Sequence, residues 1–170
     1  MKKKNITYSF KKNDIVQVKI TGTTSEGFGV GRYDNIPVFV PQTAPGDIIE
    51  AIVVKTEKRY AYGKLKNIIT PSKDRIETDC PYFTKCGGCC YRHISYPAEL
   101  SIKKTKVSDS MSRIAQIENI SIDNTSESPK VNYYRNKALV PLTTDSSGNL
   151  SMGFYAVNSH RIVDYERCLL

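Results

Sequence analysis

The sequence lacks a hydrophobic run long enough to cross a membrane. Its 170 residues are 39% hydrophobic and 25% charged, a balance typical of folded globular domains. No apolar stretch approaches the roughly 20 residues that a membrane helix needs. The start, Met1-Lys2-Lys3-Lys4-Asn5, imitates a basic signal-peptide region, but the residues from Ile6 to Asp14 supply no apolar segment behind it. We therefore expect a cytoplasmic protein without membrane contact.

The chain also lacks an even set of cysteines. It has five, and an odd number in a reducing compartment argues against a disulfide framework and favours metal ligation. The two histidines, His93 and His160, are further potential ligands, but four thiolates make them unnecessary. We expect both to be ordinary polar residues.

No catalytic constellation is recognisable. A nucleotide-cofactor domain needs a glycine-rich turn that follows a strand and opens a helix. The glycines of Gly27-x-Gly29-x-Gly31 are followed by more strand, so we interpret them as permitting tight curvature. Cys90 has no recognisable base beside it, which predicts a packed or inert thiol. We therefore predict no catalytic residue in this chain.

What the chain has in excess is positive charge. Its formal net charge is +8 and its pI is near 9.2. Residues 1–70 hold 12 of the 25 Lys and Arg and 6 of the 17 Asp and Glu, so this part carries +6 and residues 71–170 carry +2. A polyanionic partner is indicated, mainly for the first part.

The segment from Asp14 to Ile69 is predicted to form short strands, because Val and Ile alternate with polar residues between turns. Asp34-Asn35 tolerates positive φ and closes a hairpin. About five strands in such a span are typical of a small closed barrel. The predicted strands are the one opened by Ile15, Val18 and Ile20, then 27–32, 36–40, 48–54 and 60–68.

Aromatic and basic residues are interspersed in this segment, a mixture suited to stacking bases while neutralising phosphates. Ordinary surface solvation is the alternative for each of them, and Phe39 is assigned to the core. The candidate nucleic-acid contacts are Phe28, Arg32, Tyr60 and Tyr62.

The second half is predicted to contain a helix and two strands. The helix spans Pro97 to Ile117 and places an apolar face in a core. A polar loop, 121–130, precedes strands at 132–142 and 150–157, which are joined across 145–148. Arg135 and Lys137 alternate along the first strand and therefore share a face. The apolar helix face consists of Leu100, Val107, Met111 and Ile114.

The most specific pattern is C-x5-C-G-G-C at Cys80, Cys86 and Cys89, with Cys168 near the end of the sequence. Gly87-Gly88 allows the loop to fold tightly round one centre. Four thiolates serve an iron–sulfur cluster or structural zinc. Zinc sites usually pair two short C-x(2–4)-C knuckles, so three clustered ligands and one distant ligand favour the cluster.

The segment from Ile15 to Ile69 resembles the TRAM domain, an RNA-binding, OB-like barrel found on RNA methyltransferases and methylthiotransferases. The residues that carry this resemblance are Glu26-Gly27-Phe28-Gly29-Val30-Gly31, Val38-Phe39-Val40-Pro41 and Pro45-Gly46-Asp47.

Nearly the whole chain resembles RNA (uracil-5-)-methyltransferases of the RlmD/RumA type, which share the order of barrel, C-x5-C-G-G-C and late cysteine. The resemblance implies that Cys80, Cys86, Cys89 and Cys168 ligate a [4Fe-4S] cluster. It implies that the face with Arg135 and Lys137 approaches RNA, so phosphate or base contact is expected of them, with a solvated face as the alternative. The favoured RNA is 23S rRNA, and tRNA is the alternative. S-adenosylmethionine would be bound only in a full-length enzyme, by a domain absent here. Further matching pieces are Tyr134-Arg135-Asn136-Lys137-Ala138, Gly153-Phe154-Tyr155 and Ser159-His160-x-Ile162-Val163.

We thus predict a mainly β, monomeric chain with an OB-like TRAM barrel in residues 1–70 and a small α+β cluster domain in residues 71–170. Two other classes stay open. One is an RNA-binding adaptor with structural zinc. The other is an electron-transfer protein, although small ferredoxins are typically acidic and spaced C-x2-C-x2-C, unlike this chain.

Overall fold

A computed structural model describes residues 9–144, 147–157 and 159–170. The chain divides into two compact units. One unit ends at Ile76 and also includes His93–Ser95; the other comprises Glu77–Arg92 and Tyr96–Leu170. Within the described ranges, no helix combines the length and the apolar character needed to cross a membrane.

The first unit is a closed five-stranded barrel, as the sequence predicts. Its strands lie in the order β1-β2-β3-β5-β4, and β4 pairs back with β1. The β3–β5 pair is parallel and the other pairs are antiparallel. Closure satisfies the edges that an open sheet would expose. The strands are β1 (Ile15–Thr23), β2 (Gly29–Tyr33), β3 (Ile36–Val40), β4 (Ile48–Thr56) and β5 (Ala61–Thr70).

Alternate residues of these strands fill the barrel. Each buried Val or Ile contributes about 1.5–3 kcal/mol of hydrophobic stabilisation. Phe10 joins the core ahead of β1, and its ring meets that of Tyr33 edge to face at 5.6 Å. The buried strand residues include Val16, Val18, Ile20, Val38, Val40, Ile49, Ala51 and Val53.

Two local features of the predicted hairpin are confirmed. Asp34 and Asn35 have φ of 51° and 65°, the left-handed pair that a two-residue turn between twisted strands requires. Gly29 and Gly31 face inward, where a Cβ would collide with the side chains of Thr43 and Val18 respectively. These glycines allow the strands to approach closely, in agreement with the tight curvature expected of them.

Phe39 is not in the core, so its predicted assignment is wrong. Val38 and Val40 are fully buried, and side chains alternate across a strand. The ring of Phe39 therefore lies on the outer face, where it is partly exposed. Because side chains alternate and Val38 and Val40 face inward, the aromatic residue of β3 faces outward.

A buried ion pair between Asp47 and Arg75 holds the segment that follows β5 against the barrel. Asp47 is fully buried and accepts hydrogen bonds from the amides of Ala44 (2.6 Å) and Ser72 (2.8 Å) and from Nη2 of Arg75 (2.8 Å). Burial by itself would raise the pKa of Asp47. The hydrogen bonds from Arg75, Ala44 and Ser72 outweigh burial and hold the pKa below its ordinary value of 3.8.

We expect Asp47→Asn to destabilise the barrel by about 3 kcal/mol, because the mutation leaves the Arg75 guanidinium largely buried without its counter-charge. The stabilisation from a lowered carboxyl pKa is present above pH 3.8 and is lost as the pH falls through the native pKa. Urea unfolding between pH 7 and pH 2.5 should therefore show a steeper acid loss in the wild type than in the variant. Glu50→Gln is the control, since Glu50 pairs with Lys66 at the surface (3.3 Å) and should change stability by less than about 1 kcal/mol. Equal midpoints for Asp47→Asn and wild type would contradict this assignment.

The second unit contains one helix and a small sheet. The helix α1 (Tyr96–Asp109) continues into a π-helical turn, Ser110–Ile114, and Pro97 lies in its first turn, as predicted. The antiparallel sheet has the order β6-β7-β8. Its strands are β6 (Leu142–Thr144), β7 (Leu150–Tyr155) and β8 (Ile162–Asp164).

The predicted burial of the helix is wrong within the described residues. No residue of α1 or of the π-helical turn is buried. Leu100 and Met111 are partly exposed, while Val107 and Ile114 are 48% and 81% exposed. The helix forms where the periodicity predicts it, but no described element packs tightly against its apolar face.

The predicted strand at 132–142 is also wrong, because only Leu142 belongs to a strand. Tyr133 has a φ of 55°, which breaks extended geometry, and its amide donates to the carbonyl of Leu169 at 2.9 Å. This bond holds the start of the segment against Leu169, and only the end of the segment meets the sheet, where Pro141 O accepts from the Gly153 amide at 3.3 Å. The strand predicted at 150–157 is present as β7, and the loop at 121–130 is irregular as predicted. Asp145 and Ser146 of the predicted turn lie outside the described residues.

Candidate metal centre and nucleic-acid interface

The cysteine loop of the second unit is held by short-range backbone bonds. The amide of Phe83 donates to Cys80 O (3.2 Å) and that of Cys86 to Tyr82 O (2.8 Å), which turns the loop back on itself. The amide of Gly87 donates to Tyr155 O (2.8 Å), so the loop is pinned beside the end of β7. The glycine pair therefore lies where the loop meets the sheet.

All four predicted ligands line one cavity of this unit: Cys80, Cys86, Cys89 and Cys168. All four are partly buried. Cys90 is exposed, so it is not a packed thiol, and the alternative expectation that it is inert stays a prediction. Across the described ranges, no three His, Cys, Asp or Glu side chains form a group that could hold a single metal ion. His93 is not a lining residue; it is buried in the first unit, where burial lowers its pKa.

Burial and neighbouring groups shift the pKa values of two thiols in this cavity. Burial raises the pKa of Cys86, and the neighbouring sulfurs of Cys80 and Cys168 raise it further, against a hydrogen bond from the Gly88 amide. Burial likewise raises the pKa of Cys89, although Arg92 acts in the opposite direction. Cys86 and Cys89 therefore favour the protonated thiol unless a cation compensates the charge of the thiolate. Metal binding at this site must release protons.

Gly88 fits closely against the sulfur cavity. A Cβ at this position would lie 3.2 Å from the Phe154 ring and 3.4 Å from Cys86 Sγ. The Gly88 amide points at the same sulfur, with an N to Sγ distance of 3.3 Å. Such an amide stabilises a thiolate. Gly88 therefore leaves room beside the Cys86 sulfur and offers it an amide donor, as a loop that binds a metal through sulfur would require.

Arg92 joins the two ends of the second unit, and the sequence reasoning did not identify it. Its Nη1 donates to Asp79 Oδ1 (2.9 Å) and to Asn132 Oδ1 (2.7 Å), and its Nη2 donates to Leu169 O (3.1 Å). Asp79 precedes the first cysteine and Leu169 follows the last. A lone arginine shortly after the cysteine motif gives no sequence signal for such a role, because its partners are distant along the chain.

Aromatic rings form another part of the cavity wall. Phe154 and Tyr165 stack with centroids 5.8 Å apart and planes inclined by 20°, and Tyr82 meets Tyr165 edge to face at 6.4 Å. Phe83 is buried. The sulfur ligands are thus bordered by apolar ring surface, which lowers the local dielectric.

The barrel carries an aromatic cluster on its outer face. We define this cluster as Phe39, Tyr60 and Tyr62, whose ring centroids are 5.4–5.8 Å apart. Strand register aligns Val30 of β2, Phe39 of β3, Tyr62 of β5 and Lys55 of β4 in one row across the sheet. Two of the predicted contacts, Tyr60 and Tyr62, are therefore adjacent, and Phe39 joins them.

The other predicted contacts are placed differently. Phe28 is partly exposed in the β1–β2 turn, where its amide bonds to the Thr24 hydroxyl (3.1 Å). Arg32 is exposed on β2 and donates to Asn35 O (2.8 Å). Arg135 and Lys137 are exposed in the irregular segment of the second unit, so the argument that a strand aligns them on one face does not hold.

Comparison with known proteins agrees with this arrangement. The TRAM domain family matches residues 10–66. An uncharacterized RNA methyltransferase of Halalkalibacterium halodurans is 41% identical over 159 residues, covering 94% of this chain and 34% of that protein. One of Listeria monocytogenes is 38% identical over 160 residues, covering 94% and 35%. The crystal structure of Pyrococcus abyssi tRNA (uracil-54, C5)-methyltransferase in complex with S-adenosyl-L-homocysteine matches with a TM-score of 0.55 and 26% identity, over 89% of this chain and 32% of that chain.

These similarities, over 94% of the chain, support a relationship to RNA methyltransferases of the RumA/TrmA type. The chain spans about a third of the length of the curated relatives it matches. The TRAM match begins at Phe10, the residue that joins the barrel core ahead of β1, and ends inside β5. The cysteine loop lies outside the TRAM match and belongs to the second unit.

Proposed function

We propose that this chain is the RNA-binding and cluster-ligating portion of an enzyme that transfers a methyl group from S-adenosylmethionine to the 5-position of uridine in RNA. The observation that carries the proposal is the convergence of Cys80, Cys86, Cys89 and Cys168 on one cavity. This occurs in a chain whose relatives are named RNA methyltransferases. The similar Pyrococcus enzyme acts on C5 of a uracil and was crystallised with S-adenosyl-L-homocysteine, which supports the same target atom and cofactor here. We favour 23S rRNA as the substrate, with tRNA as the alternative.

The four cysteines would hold a [4Fe-4S] cluster. The donor set fits, since four partly buried thiols share a cavity, and a backbone amide points at one of them. Bound here, the cluster supplies a covalent cross-link between the cysteine loop and the segment around Cys168. Arg92 and the ring pair Tyr82–Tyr165 would hold the two segments in place for it. We assign it a structural role in positioning the RNA-binding surface.

RNA would be bound by both units. On the barrel we assign contacts to Phe28, Arg32, Tyr60 and Tyr62, and in the second unit to Arg135 and Lys137. We assign no catalytic residue to this chain. Addition to the uracil ring and removal of its 5-proton need a nucleophile and a base, which we place in the part of the relatives' length that this chain does not span.

Anaerobic purification followed by metal and sulfide analysis tests the proposal. We expect about four iron atoms and four acid-labile sulfides per chain, with the broad visible absorption of an iron–sulfur protein. Zinc without sulfide would support the zinc-containing RNA adaptor. A colourless, metal-free protein prepared without oxygen would exclude both metal sites. Reversible reduction and oxidation of an exposed cluster at a useful potential would favour an electron-transfer protein.

A further inference from the structure

The aromatic cluster of the barrel is not required by the core. Val38, Val40 and Ala61 fill the inside of β3 and β5 and are fully buried. Phe39, Tyr60 and Tyr62 point the other way and remain partly exposed despite their mutual contacts. Ring surface left in water forgoes hydrophobic stabilisation, and a contiguous group of such rings on a small barrel marks an interaction site.

The surroundings of the cluster are positively charged. The span 55–64 contains Lys55, Lys58, Arg59 and Lys64 but only one acidic residue, Glu57, which pairs with Lys55 at 2.6 Å. Lys58 and Arg59 are exposed and immediately precede Tyr60, and the exposed Lys64 is two residues beyond Tyr62 on the same face of β5. The partner that complements rings rimmed by cations is an aromatic polyanion.

The phenol of Tyr60 adds no negative charge to this surface. Its neighbour Tyr62 raises the pKa of Tyr60, and partial desolvation and Glu57 raise it further. A tyrosine phenol is neutral near pH 7 even without this shift, so Tyr60 does not repel phosphate.

Building on the RNA-binding role proposed above, we propose that Phe39, Tyr60 and Tyr62 form a stacking platform for the unpaired bases of single-stranded RNA, with Lys58, Arg59 and Lys64 at the phosphates. Every base has an aromatic face, so such a platform tolerates many sequences. In a duplex these faces are covered by neighbouring base pairs. The platform thus discriminates between single-stranded and duplex RNA more than between base sequences. Phe39, the residue that strand parity turns outward, becomes a central contact.

The test uses the whole 170-residue chain and a fluorescein-labelled, U-rich RNA of 12 nucleotides, either single-stranded or annealed to its complement. Fluorescence anisotropy gives the affinity at 50 and 200 mM salt. We expect wild type to bind the single strand more tightly than the duplex. Its affinity should fall by about 20-fold over this salt range if Lys58, Arg59 and Lys64 each neutralise one phosphate.

The variants Phe39→Leu and Tyr62→Leu keep apolar volume and remove the ring. We expect each to weaken single-strand binding by at least about fivefold, the lower end of the range for loss of one stacked base, and to leave duplex binding unchanged. Tyr33→Leu is the matched control, because Tyr33 packs against Phe10 and the core and should affect stability but not RNA affinity. Thermal unfolding followed by circular dichroism verifies that each variant is folded.

The outcomes separate the two proposals. Wild type that does not bind RNA, or binds it without salt dependence, refutes the RNA-binding role itself. If wild type binds RNA as expected and folded Phe39→Leu and Tyr62→Leu bind it with the same affinity, only the stacking platform is refuted. That result is expected if the cluster docks a protein instead. Equal affinity for single strand and duplex also overturns the platform.

Discussion

Cys168→Ser will strongly reduce the iron and sulfide bound by the anaerobically purified chain. Three of the four proposed ligands lie within one loop, and Cys168 is the one that connects this loop to the distant segment after β8. A cross-link closing a loop as long as that between Cys89 and Cys168 contributes about 4 kcal/mol through loop-closure entropy. The substitution should therefore also lower the unfolding midpoint of the second unit, while the barrel is unaffected.

The measurements for Cys168→Ser are iron and sulfide content, visible absorbance and urea unfolding under anaerobic conditions. Cys90→Ser is the matched control, because Cys90 is exposed and does not line the cavity; it should bind as much iron as wild type. Full iron content in Cys168→Ser would remove Cys168 from the ligand set. Loss of iron in Cys90→Ser would place the fifth cysteine in it.

Arg92→Met should destabilise the second unit by about 2–3 kcal/mol and speed the loss of iron to a chelator. Its side chain is only 13% exposed. The substitution removes charge-assisted hydrogen bonds to Asp79, Asn132 and Leu169. Each such bond contributes about 1.5–3 kcal/mol by itself, and together they contribute less than the sum because the groups are coupled. Without them, the segments that carry Cys80 and Cys168 are no longer tied together. Arg92→Lys should give an intermediate result, since an ammonium group cannot reproduce the forked geometry.

Urea midpoints and the rate of iron release to a chelator measure both effects. Arg113→Met is the control, because Arg113 is 77% exposed and forms only a surface pair with Asp109 at 3.4 Å; it should change stability by no more than about 0.5 kcal/mol. Iron release from Arg92→Met at the wild-type rate would leave Arg92 without a positioning role, whatever its effect on stability.

The barrel shows why some of this fold was predictable. In its strands, hydrophobic residues recur at every second position, and the turn at Asp34-Asn35 uses residues that tolerate positive φ. Both signals are local, because they depend on neighbours within a few positions. The same holds for C-x5-C-G-G-C, whose spacing and glycines by themselves predict a tight loop.

The errors at 132–142 and at the helix face come from interactions between distant residues, whereas the error for Phe39 is one of local strand alternation. The segment at 132–142 has strand-like composition, yet the bond from the Tyr133 amide to Leu169 O takes it out of a sheet. The apolar stripe of α1 predicted a buried face, yet burial depends on what packs there, and in the described residues that face is open. Phe39 looked like a core residue because it is aromatic, but its neighbours determined which side it faces.

The order of residues alone predicted the alternating strands of the barrel, the turn that links β2 and β3, and the loop that carries Cys80, Cys86 and Cys89, since each depends on spacing along the chain. Tertiary structure alone decided the meeting of Cys168 with the other three cysteines, the bonds of Arg92 across the second unit, the Asp47–Arg75 pair, and the aromatic cluster on the barrel. Each of these joins residues far apart in sequence. Their geometry arises only after the backbone has folded, when packing and hydrogen bonding select among the many pairings that composition permits.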